Sequence, residues 1–434
     1  MKKNSFVAFL NKEKVRTAIV LILSLILLIA YYDHVFTKRG GDNGSLMFDH
    51  NTYDSYTLQA MKWREGQIAI IESDVENYQE EVNKYAYLEL AIYEDNYYLS
   101  FPPVPAIPMF FLSFIFGSNT PSNFVSFMYG LGTFVFIFLL AKRFNLKNDS
   151  SLILAMFVTV GSSLFNLTLS GSVWFMAQSL AMCLTAAAFY CVFSKPKWCW
   201  YLSMFLLALA VGCRPFQVLY FPLLIYIIFK KHNFKILRTW TYFISPAVVA
   251  FCYMVYNYIR FDSIFEFGHN YLPEFATQKE DGQFALSYIK SNVDALIKEM
   301  PKVTSNGLEY SKFGFCFYIS SVIFILFAAA VVYRLVQDSY TAIRTNRKFD
   351  MDCDRIGASI ILVAIAIHIF LVLLHGSQGA YQFGARYMVD CVPACALGVL
   401  LCGRSFLERF KIPAAMLCIF GILLNYIGSL SVIV

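Results

Sequence analysis

The sequence predicts an all-α polytopic membrane protein, and three observations carry that prediction. Of 434 residues, 58% are hydrophobic and only 15% charged, whereas soluble globular proteins carry roughly 25% charged residues. Apolar runs recur from end to end, most of them close to the roughly 20 residues a helix needs to cross the hydrocarbon core. No charged stretch is long enough to build a second core, so residues 1–434 read as a single integral domain. A soluble enzyme is excluded on these grounds. The 11 cysteines lie mostly inside or at the ends of apolar runs and read as small core residues, not as a disulfide or metal framework.

The chain opens with MKKNSFVAFLNKEKVR and the apolar run TAIVLILSLILLIAYY. That run exceeds the roughly 7–15 residues of a signal-peptide core, and no small-residue cleavage site follows it. It therefore reads as an uncleaved first span, 17–36, with residues 1–16 in the cytoplasm. Further spans are expected near 122–141, 151–169, 174–193, 198–213, 216–229, 239–256, 314–333, 356–374, 387–402 and 412–432, about eleven in all. The run VPAIPMFFLSFIFG (104–117) is too short and too rich in proline to span, and reads as an interfacial or re-entrant helix.

Loop charge supports this count, because cytoplasmic loops carry an excess of Lys and Arg. With the short run left out, 22 of the 35 basic residues fall inside and 22 of the 29 acidic residues outside. The topology is N-in and C-out, with large outer segments at 37–121 and 257–313. The +6 net charge is a topology signal and says nothing of nucleic acid.

Candidate chemistry gathers on the outer face. In FDHNTYDSYTLQAMKWREGQ (48–67), Tyr53, Tyr56, Ala60 and Trp63 line one face of a short, surface-lying amphipathic helix that Gly66 ends. Asp49, His50 and Asn51 stand at its start, and Asp54 lies one turn after His50. A carboxylate there either takes a proton from an acceptor hydroxyl or holds a cation, or else caps the helix and pairs with the histidine. YEDNYYLSFPPVPAIP (93–108) gives an extended, proline-fixed entry to the short apolar helix, or a wall guiding a lipid-linked substrate.

SGSVWFMAQ (170–178) makes a tight mouth between spans. Trp174 is either an interfacial belt residue or a ligand-stacking one, and Gln178, one turn inside, needs a partner. Arg214, beside Pro215, is costly at the end of two apolar spans unless it meets an anion: a phosphate, a headgroup or a structural carboxylate. YNYIRFDSIFEFGHNYLPEF (256–275) supplies Asn257, Arg260, Glu266, His269 and Asn270, with Gly268 favouring a turn. In GSQGAYQFGARYMVDCVP (376–393), Arg386 and Asp390 have i, i+4 spacing, as an intrahelical pair or an anion clamp. His368 and Asn425 are isolated polar residues within spans, and His368 reads as bonded to a carbonyl. No nucleotide cradle, zinc spacing or nucleophile elbow is present.

Taken in order, a short helix ending in Gly, then NYYLSFPPVPAIP, SGSVWFMAQ, an Arg-Pro pair between spans, YNYIRFDSIFEFGHNY and QFGARYMVD resemble bacterial multi-span proteins related to the GT-C glycosyltransferases. That group includes the protein O-mannosyltransferases and the lipid A aminoarabinose transferases, and the resemblance runs over about residues 46–403. It implies a GT-C fold in the bacterial plasma membrane. A sugar would pass, with inversion, from a polyprenyl-phosphate donor to a glycan, lipid or protein acceptor on the outer face. It further implies Asp49 or Asp54 as base, and Arg214, Arg260 and Arg386 as phosphate ligands. The remaining substrate contacts are expected among His50, Asn51, Trp174, Gln178, Glu266, His269 and Asp390. No organic cofactor or metal is assigned, and a divalent cation is left open. One departure stands out: counting back from Gly66, the position expected for the loop aspartate holds Asn51, and an amide cannot act as a base. Two alternatives therefore stay open, a transporter or flippase of a lipid-linked glycan and an inactive GT-C-like scaffold.

Overall fold

A computed structural model describes residues 13–273, 281–305, 307–345 and 353–431. Residues 1–12 of the expected cytoplasmic N-terminus, and the last residue of the 412–432 span, lie outside the described residues. Each of the expected spans is helical. Among the described residues, seven helices are long and apolar enough to cross a bilayer: Glu13–Asn43, Ser122–Arg143, Val173–Val192, Trp240–Phe261, Ile323–Thr341, Asp354–Leu374 and Lys411–Ser431. The other four segments are shorter or broken: Asn148–Val158 followed by Leu164–Leu167, Lys197–Val211, Pro215–Tyr220 followed by Phe221–Lys231, and Arg386–Val389 followed by Val392–Arg409.

The breaks have local causes. Pro215, Pro222 and Pro393 each remove an amide donor and crowd the preceding turn. Irregular backbone deep in a bilayer is tolerated only where protein satisfies its polar groups, and that condition is met here. At the break around Asp390, the Gln178 amide donates to the Arg386 carbonyl at 2.9 Å, and Gln217 and the Tyr220 hydroxyl donate to the Asp390 carbonyl. His368 bonds the Tyr387 carbonyl at 2.8 Å, as the sequence suggested. The centre of the bundle is formed by Val173–Val192, 83% of whose apolar window is buried, and by Ser122–Arg143, at 61%. Glu13–Asn43 and Trp240–Phe261, at 11%, are peripheral.

Long-range contacts sort the loops onto two ends of the bundle. One end holds Lys142 beside Glu13, Asp149 paired with Lys411, and Asp338 paired with Arg355 and Arg334. The other holds the 44–121 segment, the 170–172 mouth and the 375–385 loop, joined by bonds such as Asn51 to Ser170 and Asn123 to Gly171. The short helix Ala106–Phe116 has both flanks at this second end. The Val104 amide donates to the Gly212 carbonyl on one side, and the Thr120 carbonyl meets His50 Nδ1 on the other. It leaves Phe111, Phe114 and Ile115 exposed, the last at 76%.

One expectation is corrected. Ser55–Arg64 does not lie on the surface: Tyr56 and Ala60 are fully buried in a cluster with Ala106, Met109 and Val173, and Ser55, Thr57 and Gln59 are buried as well. The Ala106–Phe116 helix covers it, with Arg64 donating to the Ser113 carbonyl and resting over the Phe114 ring. Gly66 ends the helix as expected, at φ +81°. The loop continues through Tyr78–Tyr85 into a hairpin, Leu90–Tyr93 with Asn96–Leu99, whose two-residue turn Glu94-Asp95 has positive φ at both positions. The ten cysteines with described surroundings are all free.

Candidate active site

Two connected cavities open at the end of the bundle that carries the 44–121 segment. The larger, about 560 Å³, is walled by Tyr53, Tyr87, Glu89, Trp174 and the loop 377–381. The smaller, about 300 Å³, is mostly apolar, and runs between Pro102, Phe216, Phe267 and Val372 past Arg214 and His375. Phe101, Trp174, His269, Arg386 and Tyr387 line both and form the passage between them.

The charges in this passage are arranged differently from the sequence expectation. Asp390 does not pair with Arg386 one turn away. It is fully buried and accepts from Arg214 Nε at 3.1 Å and from Gln178 at 3.1 Å. The short helix Arg386–Val389 ends at Asp390, and the carboxylate there is taken by Arg214 and Gln178 from two other elements. Arg386 is consequently a cation at 9% exposure with no carboxylate within ion-pairing distance among the described residues, and its Nε has no hydrogen-bond partner. Its guanidinium lies near the rings of Tyr387 and Phe175. Gly379, at φ +79°, passes across it, and a methyl group there would collide with the guanidinium.

Burial, together with the neighbouring His375, lowers His269 to about 4, and burial lowers His375 as well. The Trp174 indole donates to Glu89 Oε2 at 2.7 Å, which ties the 170–178 mouth to the outer loop. Trp174 stands 5.5 Å from the Tyr53 ring, and Tyr53 stands 5.8 Å from Tyr87, so aromatic faces surround the Glu89 carboxylate.

The other residues singled out from sequence sit elsewhere. Asp54 is the N-cap of Ser55–Arg64, accepting from the Tyr56 and Thr57 amides and the Thr57 hydroxyl, and burial raises its carboxyl above the usual range. His50 Nδ1 lies 3.7 Å from it. Asp49 is exposed and lines neither cavity. Asn51 accepts from the Tyr53 amide and donates to the Ser170 hydroxyl, a donation no carboxylate could make. Arg260 donates to the Leu99 carbonyl and to Asn257 while stacking on Tyr256, so it pins the hairpin to the Ile244–Phe261 helix. Glu266 accepts from the Gly268 amide and Asn270, closing the turn that Gly268 signalled. The expected residues that reach the cavities are thus Trp174, Arg214, His269 and Arg386, with Gln178 and Asp390 packed behind them. Glu89 and His375 had gone unnoticed. The signal for Glu89 was a lone carboxylate between Leu88 and Leu90, both buried.

Residues 100–258 match the family profile described as dolichyl-phosphate-mannose-protein mannosyltransferase, less than half of the chain. Among solved structures, the apo oligosaccharyltransferase of Archaeoglobus fulgidus aligns with a TM-score of 0.55 at 10% identity, covering 96% of this chain and 56% of that one. ArnT from Cupriavidus metallidurans aligns at 0.48 and 12% identity when bound to undecaprenyl phosphate, and at 0.46 and 11% in its apo state. Those two alignments cover 89% of this chain and 60% and 59% of ArnT. The chain thus spans less than two thirds of the length of the structures it matches. No curated protein sequence matches it. The fold is that of the GT-C group: a multi-pass helical membrane protein whose large loops and cavities meet at one end.

Proposed function

We propose that this protein is a membrane glycosyltransferase that moves a sugar from a polyprenyl-phosphate donor to an envelope acceptor on the extracytoplasmic face of the bacterial plasma membrane. The observation that carries this reading is Arg386, a buried guanidinium without a counterion among the described residues, where an apolar groove meets a wetter cavity lined by aromatic rings. Burying a cation is expensive unless an anion joins it, and the planar guanidinium suits the oxygens of a phosphate. A prenyl chain fits the apolar groove, the phosphate meets Arg386, and the sugar lies against Trp174 and Tyr53. The family profile over residues 100–258 supports a prenyl-phosphate donor.

In such a transfer, negative charge grows on the departing phosphate, and a preorganised donor aimed at that charge lowers the barrier. Arg386 supplies it. Arg214, neutralised by Asp390, holds the groove wall and the helix break in place. The test is transfer of label from radiolabelled polyprenyl-phosphate hexoses to bacterial membrane extract by protein reconstituted in vesicles. Arg386→Ala should cut transfer by about 10²–10³-fold, the range seen when one charge-stabilising donor is removed, and Arg386→Lys should restore only part of it, because the bidentate fork is gone. Full transfer by Arg386→Ala would overturn the assignment. Donor movement across the vesicle without transfer would replace the enzyme by a transporter.

A further inference from the structure

We infer that Glu89 is the group that takes the acceptor's proton, and that an apolar pocket behind it receives the acceptor. This inference rests on the transferase reading and names the acceptor half of the same site. Glu89 lines two cavities: the 560 Å³ cavity containing Arg386, and a separate pocket of about 320 Å³ built into the outer loop. The second pocket is walled by Ile71, Val82, Tyr85, Leu88, Leu90 and Tyr97, and no Lys or Arg among the described residues lines it. Leu272 is the other residue common to both spaces.

Elimination among the described carboxylates leads to the same residue. Among the described residues, Glu89 is the one acidic side chain lining the 560 Å³ cavity, and none lines the groove. Asp54 is sealed beneath its own helix cap, Asp390 is committed to Arg214, Glu266 to its turn, and Asp49 lines neither cavity. Asn51, at the position where the family resemblance expects a carboxylate, spends its amide on Ser170 and the Tyr53 backbone. The Glu89 carboxylate, by contrast, has one oxygen fixed by Trp174 while no donor among the described residues reaches the other. A carboxylate oriented through one oxygen and open at the other is the geometry a general base needs.

The step balances. The acceptor O–H proton passes to Glu89 Oε1 as the acceptor oxygen forms its bond to the anomeric carbon. The bond from that carbon to the phosphate oxygen breaks, and its electron pair leaves with the phosphate beside Arg386. Trp174, between the two sides, is a positioning residue. The acceptor this arrangement fits is an alcohol whose neighbouring group is uncharged and apolar, seated against Val82, Leu88 and Tyr97.

The experiment uses the full chain in vesicles with a radiolabelled polyprenyl-phosphate hexose and membrane extract. Glu89→Gln should retain donor binding, measured by photocrosslinking of the donor, and lose about 10²–10⁴-fold in transfer, the usual contribution of a positioned base. Its residual rate should also lack the acid limb of the wild-type pH profile. The other ionisable groups facing this space are Tyr53, Tyr87, His269, Arg386 and Tyr387. Formate should restore part of the transfer in Glu89→Ala. Val82→Trp, which fills the pocket, should raise the KM for acceptor more than tenfold while donor crosslinking stays at the wild-type level. An unchanged acid limb in Glu89→Gln, or an unchanged acceptor KM in Val82→Trp, overturns this inference while leaving the transferase reading intact. Absence of transfer by the wild-type chain with every donor overturns both.

Discussion

At the scale of single residues, the arginines of this protein show how little a charge's sequence neighbours say about its partner. Arg386 and Asp390 have the spacing of a helical ion pair, yet Asp390 pairs with Arg214, 176 positions away. The breaks and crossings that bring Arg214 and Asp390 together are tertiary, and no local pattern encodes them. Removing one member of a buried pair strands the other, so Asp390→Ala should lower stability by about 3–5 kcal/mol. The double variant Asp390→Ala/Arg214→Ala should recover part of that loss, and thermal unfolding in detergent measures both. Gly379 gives a second test at this scale. Its positive φ and the guanidinium packed against it leave no room for a side chain, so Gly379→Ala should displace Arg386. Transfer should fall towards the Arg386→Ala level, while a polyprenyl-phosphate-independent property such as the melting temperature changes by no more than a few degrees.

The elements themselves were legible in the sequence where burial alone dictates them. Each expected span became helical because its apolar run leaves the backbone no alternative in a bilayer, and the 104–117 run, set apart by its length and prolines, forms the short helix Ala106–Phe116. What could not be read was which helices are broken and what repairs them. Gln178 announced that it needed a partner, but its partners, the Arg386 carbonyl and Asp390, lie more than 200 positions downstream. The Ser55–Arg64 helix shows the same limit. Its apolar stripe at Tyr56 and Ala60 was recognised, but burial of Ser55, Thr57 and Gln59 follows from the Ala106–Phe116 helix lying across it. Glu89 was missed because its meaning comes from a tryptophan that approaches from another element.

For the molecule as a whole, the two ends differ in kind. One carries short basic connectors and ion pairs such as Asp338 with Arg355, the other the long loops, the aromatic rings and the cavities. The charge sorting predicts that the cavity end faces outward. Cysteine introduced at Lys312, next to the Tyr381 ring at the cavity mouth, should react with a membrane-impermeant thiol reagent in intact cells. Cysteine at Lys195 should react only after permeabilisation. The reverse pattern would invert the orientation and place the donor in the inner leaflet.

The Ala106–Phe116 helix has both flanks on one side of the bundle and keeps Phe111, Phe114 and Ile115 uncovered. Its depth is therefore set by the lipid around it as much as by the protein beneath it. Since it also roofs the helix that carries Tyr56 and is pinned there by Arg64, the bilayer serves as a ruler for the site. A leaflet whose thickness does not match this helix would tilt the cover of Ser55–Arg64, the helix that follows Tyr53 of the cavity wall, so the rate of the proposed transfer should depend on acyl-chain length even when donor, acceptor and protein are held constant.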